Sequence, residues 1–197
     1  MDFEKYKTKQ MLALKDLITF FSKEKKQREL WVVKNFLTIL GVDYGENEFN
    51  QPNGDPPDIT FRDAKFETTE LMDENRPRHG ILKKRLENLE LAQSYADIPS
   101  EEWDHWDSEN LSPEGLLRKV EMRLKKKNYS PDVMAKTDAL VYVNLLKYNI
   151  DKDNLRFSIH KSSAILCWRS VSLLFNGDVA HVLFASNATS EFIRRKR

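Results

Sequence analysis

The sequence predicts an α/β (α+β) fold: a mixed central sheet flanked by helices, with an added C-terminal β-hairpin. Three observations predict it. Apolar residues at helical spacing run through residues 3–40, and short alternating strands lie around 58–71. An apolar run at 138–146 is too continuous for a half-exposed strand and reads as one buried on both faces.

Residues 3–22 form an amphipathic helix with Leu14, Leu17, Ile18 and Phe21 on one stripe. After the charged break SKEKKQRE a second helix spans about 26–40, carrying Leu30, Val33, Phe36, Leu37 and Leu40, and Gly41 is a natural stop. Residues 42–57 hold two glycines and three prolines and form a loop, with one short strand near 44–49. Two short strands then meet at Arg62-Asp63, where the lack of glycine favours a loop longer than a tight primed turn. A third helix covers 78–95, and an acidic connector follows, DIPSEEWDHWDSEN. Ser112-Pro113-Glu114 starts another helix with a capping hydroxyl, a first-turn proline and an acid; it runs to about Lys127. The strand at 138–146 precedes two more, 165–175 and 179–185, around the hairpin signal Asn176-Gly177. One domain over 1–197 is expected: an N-terminal helix (1–24), a core (26–146) with its acidic connector (97–111), C-terminal strands (155–186) and a basic tail (187–197).

The 197 residues can bury a real core, and 40% apolar with 11% aromatic residues excludes wholesale disorder. Charged residues make up 32% but the net charge is only +1, so any attraction for nucleic acid has to be local. The single cysteine, Cys167, permits no internal disulfide and no cysteine-based zinc cage. The charged N-terminus carries no secretory pattern, and no apolar stretch approaches the roughly 18 residues a membrane span needs. A cytoplasmic protein with no membrane partner is the expectation.

The chemistry concentrates in one hairpin. Side chains alternate along a strand, so Lys65, Glu67 and Thr69 share one face, and Phe66 and Thr68 the other. With the turn centred between Arg62 and Asp63, Phe61 pairs with Ala64, Thr60 with Lys65, Ile59 with Phe66 and Asp58 with Glu67. This register gives an apolar face of Ile59, Phe61, Ala64 and Phe66 against a polar one of Asp58, Thr60, Lys65, Glu67 and Thr69. A one-residue slip scrambles both. Asp58 and Glu67 then sit opposite each other with Cβ atoms about 5 Å apart. Carboxylates that close repel unless one holds a proton or a cation joins them. Mg²⁺, with Mn²⁺ as an alternative, takes such hard oxygen ligands and supports phosphodiester hydrolysis. The competing explanation is a solvated polar face with Lys65 neutralising Glu67. Glu29 supplies a further acid, because it extends the stripe of Val33, Phe36 and Leu40 by one turn toward the sheet. A first-turn glutamate favoured by the helix dipole is its alternative.

PPDITFRDAKFETTEL, with a helix before it and a helix–strand pair after it, resembles the PD-(D/E)xK, or restriction-endonuclease-like, nuclease superfamily. PPDITFRDAKFETTELMDENRPRH together with CWRSVSLLFNGDVAHVLFA is more closely similar to a bacterial family of uncharacterised proteins described as "putative endonucleases". The resemblance spans roughly residues 25–185 and implies a restriction-endonuclease-like core. By position it makes Asp58 the motif aspartate and Glu67 the (D/E) residue, both metal ligands, with Glu29 as the helix-borne acid found in many members. The lysine that polarises the attacking water would stand at position 69, which here is Thr69. A hydroxyl cannot supply that charge. Lys65, one strand step from Glu67 on the same face, is the substitute, with Lys83 and Lys84 behind it. Either the lysine has migrated, or the fold binds without cutting.

Arg76, Arg78 and His79 at the start of the third helix could grip a phosphate, as could Arg169, or they could balance Glu67, Glu70 and Asp73. RKVEMRLKKK (118–127) and IRRKR (193–197) are the local basic patches for DNA or RNA backbones. Trp103 and Trp106 lie among acids, which favours packing over base stacking. His160 and His181 have no partners at metal-ligand spacing. Three function classes stay open: a Mg²⁺-dependent nuclease, a non-catalytic module binding nucleic acid or protein, and a homodimeric structural protein using the N-terminal helix and the tryptophan connector.

Overall fold

The structure, a computed structural model, describes residues 2–22, 24–73, 79–98, 109–145, 148–152, 155–157, 159, 162–175 and 179–195. In chain order the elements are α1 (Phe3–Ser22), α2 (Lys25–Ile39), β1 (Phe49–Asn50), β2 (Ile59–Phe61), β3 (Ala64–Met72) and α3 (His79–Leu91). There follow β4 (Glu109–Asn110), α4 (Pro113–Lys125), α5 (Pro131–Met134), β5 (Asp138–Asn144) and β6 (Tyr148–Asn149). The last are α6 (Ser163–Leu166), β7 (Ser170–Phe175), β8 (Val179–Ala185) and α7 (Glu191–Arg194). They divide into two compact units, Met1–Arg28 with Glu74–Asp107, and Glu29–Asp73 with Ser108–Arg197.

The first unit pairs α1 with α3. Leu14 packs on Leu82 and Leu89, flanked by Met11, Ile18 and Leu86. The Lys7 ammonium donates to the carbonyls of Glu90 (3.0 Å) and Ala92 (2.7 Å), which satisfies acceptors that the end of α3 leaves open. The side chains of Leu17 and Phe21, expected on the α1 stripe, lie outside the described ones.

The second unit is built on a six-stranded mixed sheet of order β1-β2-β3-β5-β7-β8. β1, β2 and β3 form an antiparallel meander, β3, β5 and β7 run parallel, and β8 closes the edge antiparallel to β7. Helices cover both faces of this sheet. On one face Phe36 of α2 meets Phe66 edge-on, with ring centroids 5.9 Å apart. On the other Leu116, Val120 and Leu124 of α4 join Leu71, Ala139, Val141, Val171 and Leu173 in one core. Strands covered on both sides have no reason to alternate, and all seven residues of β5 are buried.

The hairpin register is the one the apolar pattern selects: Ile59 pairs with Phe66, Thr60 with Lys65 and Phe61 with Ala64. Its turn is tighter than expected. Two residues suffice because Arg62 takes φ 52°, a left-handed conformation costing a non-glycine residue about 1 kcal/mol. Tertiary bonds offset that cost: Arg62 Nε donates to Glu48 Oε2 (2.6 Å), and its Nη2 donates to the Asp43 carbonyl (2.9 Å). A second correction concerns 165–169, expected to open a strand. Residues 163–166 make one helical turn instead, which sends Ile165 and Trp168 inward and leaves Leu166 exposed; strand alternation would have grouped Ile165 with Cys167. Asn176-Gly177 lies outside the described residues, as do Trp103 and Trp106, although the strands flanking Asn176-Gly177 do pair antiparallel. A small parallel pair, β4 with β6, was not legible in advance.

Candidate active site

Strand alternation puts Glu67, Thr69 and Leu71 of β3 on the sheet face covered by α4. The face therefore changes character along the strand. Lys65 is exposed, whereas Glu67 is 1% exposed and Thr69 6%. Two cations reach this part of β3, one from α4 and one from just past its C-terminal end. The Arg123 Nε donates to Thr69 Oγ1 (2.8 Å), and the Lys127 ammonium pairs with Glu67 Oε1 while also donating to the Thr68 carbonyl (3.2 Å).

Asp58 stands one residue before β2, opposite Glu67 in the continued register. Its Oδ2 accepts the Thr68 N–H (2.8 Å) and the Thr68 hydroxyl (2.9 Å), which fixes the carboxylate. An acid not singled out from the sequence, Asp55, completes the cluster: Asp55, Asp58 and Glu67 each offer an oxygen, and these atoms lie within 4.8 Å of one another. The Tyr129 hydroxyl lies 2.8 Å from Asp55 Oδ1 and 3.0 Å from Glu67 Oε1; with one proton it donates to one of them at a time. Burial and these carboxylates push the Tyr129 phenol up, so it stays a protonated donor.

Glu67 is under-satisfied. Its Oε2 is buried without a hydrogen-bond partner among the described residues. Burial raises its carboxyl from the ordinary 4.5 to about 7, the Lys127 ammonium pulling the other way and Asp58 adding to the rise. Near neutral pH it is divided between acid and carboxylate. A hard divalent cation fits this donor set, for it would supply the charge and the partner that Glu67 Oε2 lacks.

Glu29, Lys65 and Arg169 lie elsewhere. Glu29 is buried on α2, the helix packed on the Phe66 face, and is not among the three converging acids. Lys65 leaves its ammonium exposed; the ammonium on Glu67 belongs to Lys127. Arg169, expected at a phosphate, is 9% exposed and committed to Asp138, which also accepts the Ser170 hydroxyl (2.7 Å) and the Lys65 N–H (3.0 Å). Arg76 and Arg78 lie outside the described residues, and of His79 only the backbone, opening α3, is described.

A family model described as "Putative endonuclease, protein of unknown function (DUF1780)" matches residues 4–197. The chain belongs to this family. Among solved structures, it is similar to a protein of unknown function from Pseudomonas aeruginosa strain PAO1, described as of the monooxygenase superfamily: 26% identity, TM-score 0.70, covering 100% of this chain and 93% of that one. No curated protein matches.

Of the residues missed from the sequence, Lys127 had a signal. It lies three positions after Leu124 and seven after Val120, so the apolar stripe of α4 points a cation inward one turn past its last leucine. Asp55 and Tyr129 had none. They come from loops, and nothing in residue spacing brings positions 74 apart together.

Proposed function

We propose that this protein hydrolyses phosphodiesters in nucleic acid with a divalent cation, Mg²⁺ or Mn²⁺, held by Asp55, Asp58 and Glu67. One observation carries the reading: three carboxylates within 4.8 Å, one of them ending in a buried oxygen with no partner among the described residues. The family's description, "Putative endonuclease, protein of unknown function", supports it. So does the order of elements, helix, three-strand meander, helix and parallel strand, which matches the resemblance to restriction-endonuclease-like enzymes. The cation would lower the pKa of a bound water and offset charge developing on phosphate oxygens. Lys127, not Lys65, is the ammonium beside the acids, doing from the end of α4 what position 69 would do from the strand. Thr69 has a different task, receiving Arg123. The Tyr129 hydroxyl lies between Asp55 and Glu67 and donates to one or the other. Non-haem iron oxygenases pair two histidines with one carboxylate, and an all-carboxylate set suits a harder ion.

A second reading is favoured by the same Lys127–Glu67 pair. An ammonium already seated on the acid could stand permanently in place of a metal, leaving a module that binds without cutting. Calorimetric titration separates the two. Mn²⁺ should bind the wild-type chain, and Glu67→Gln should weaken it by about tenfold or more. A wild-type chain that takes up no Mn²⁺ or Mg²⁺ would refute hydrolysis.

A further inference from the structure

A cavity of about 250 Å³ opens beside the acid cluster, between the C-terminal end of α4, α5 and α6. Leu124, Met134 and Trp168 supply apolar wall. Lys125, Asn128 and Ser163, all exposed, stand at its open side. Tyr129 belongs to both places: it lines the cavity, and its hydroxyl lies 3.0 Å from Glu67 Oε1. Tyr129 therefore links the space to the acids.

Size, lining and charge narrow the occupant. The volume falls below the roughly 300–1,000 Å³ of sites for drug-sized ligands and suits one heterocyclic ring. Tyr129, half-buried, meets the buried Trp168 edge-on with centroids 6.2 Å apart, which fixes its ring as a surface on which a base can pack. The Asn128 amide and Ser163 hydroxyl offer donors and acceptors for a base edge. No acid is among the lining residues, and Lys125 with its exposed neighbour Lys126 favours a phosphate chain at the mouth. A base inside a duplex cannot reach such a space without leaving the stack.

We propose that this cavity takes the unpaired nucleobase next to the phosphate held at Asp55, Asp58 and Glu67, so that the substrate is single-stranded or locally unpaired nucleic acid. The proposal rests on the hydrolase reading for the position of the phosphate, and the test keeps the two apart. Cys167, the one cysteine of the chain, lines the same cavity and serves as reporter. Its alkylation by iodoacetamide in the full-length protein is followed by mass spectrometry with Mn²⁺ present, with and without thymidine 5′-monophosphate or inorganic phosphate. The nucleotide at tenfold its dissociation constant should slow alkylation by about tenfold, and inorganic phosphate, which cannot fill the cavity, should leave it unchanged. Ala164→Phe, which fills the space, should raise KM for a single-stranded oligonucleotide by about tenfold without altering Mn²⁺ binding. Unprotected Cys167 in a chain that binds Mn²⁺ overturns the cavity proposal alone, as does faster cleavage of duplex than of single strand. Protection in a chain that binds no Mn²⁺ overturns hydrolysis and leaves a nucleotide-binding cavity. Failure of both measurements removes both.

Discussion

Two carboxylates on neighbouring strands of one sheet, Glu67 and Asp138, are each 1% exposed, yet they are treated in opposite ways. Asp138 is saturated. Its Oδ1 accepts the Arg169 Nε (2.9 Å) and the Ser170 hydroxyl (2.7 Å), and its Oδ2 accepts the Arg169 Nη2 and the Lys65 N–H (3.0 Å). Arg169 also donates to the Asp63 carbonyl (3.1 Å), so the pair ties the β2–β3 turn to the starts of β5 and β7. Glu67, opposite Ala139 and so one register step from Asp138, holds the Lys127 ammonium and the Tyr129 hydroxyl on one oxygen and, among the described residues, nothing on the other. A fold that can satisfy one buried acid completely leaves the next one short, and the short one faces two further acids. The lesson is that saturation marks structure, whereas an unfilled buried acceptor marks a place for a ligand.

The largest effect should come from the saturated site. Asp138→Ala strands Arg169 in a buried position and should cost about 3–5 kcal/mol in urea unfolding, whereas Glu67→Gln should stay within about 1 kcal/mol of wild type. Equal costs would break the contrast. Next in size, Lys127→Met should lower cleavage by about 10²-fold or more while Mn²⁺ still binds. Lys65→Met, at an exposed ammonium, should leave cleavage unchanged, and the reverse ranking would return the catalytic role to β3.

Acidity provides a finer probe. Because Glu67 binds its proton more tightly folded than unfolded, this group favours the fold most below its ordinary 4.5 and loses that contribution as pH rises through about 7. Thermal unfolding between pH 5 and pH 8 should show a decline on the order of 1–2 kcal/mol that Glu67→Gln abolishes. Mn²⁺ affinity should run the other way, rising about tenfold per pH unit up to about 7 and levelling above it, since the ion displaces that proton. A flat profile would place the proton elsewhere. The smallest effect is expected at Thr69→Val, which removes the acceptor of Arg123 and should cost about 1 kcal/mol in unfolding with no loss of Mn²⁺ binding.

Much of this frame was legible in advance because it depends on periodicity. The alternation of Ile59, Phe61, Ala64 and Phe66 admits a single register, and that register is observed. Gly41 stops α2 in the left-handed conformation expected of it, with φ 69°. The Ser112 hydroxyl caps α4 by accepting the Gly115 N–H at 3.1 Å. The misreadings share one cause, a local rule outvoted by distant contacts. The turn at Arg62 tolerates a positive φ because Glu48 and Asp43 hold its side chain, and Arg169 is drawn to Asp138 rather than to the acid cluster.

By itself the sequence determined the pairing and register of the β2–β3 hairpin, and that Asp58 and Glu67 carry its polar face, since period-two alternation and the burial of apolar side chains leave that hairpin no other arrangement. Only the tertiary structure decided which cation meets Glu67, that Asp55 joins it, and that Tyr129 bridges the acids to a cavity. Those contacts join loops and helix ends far apart in the chain, where the distance between two side chains is set by the packing of α4 on the sheet and not by any spacing along the sequence.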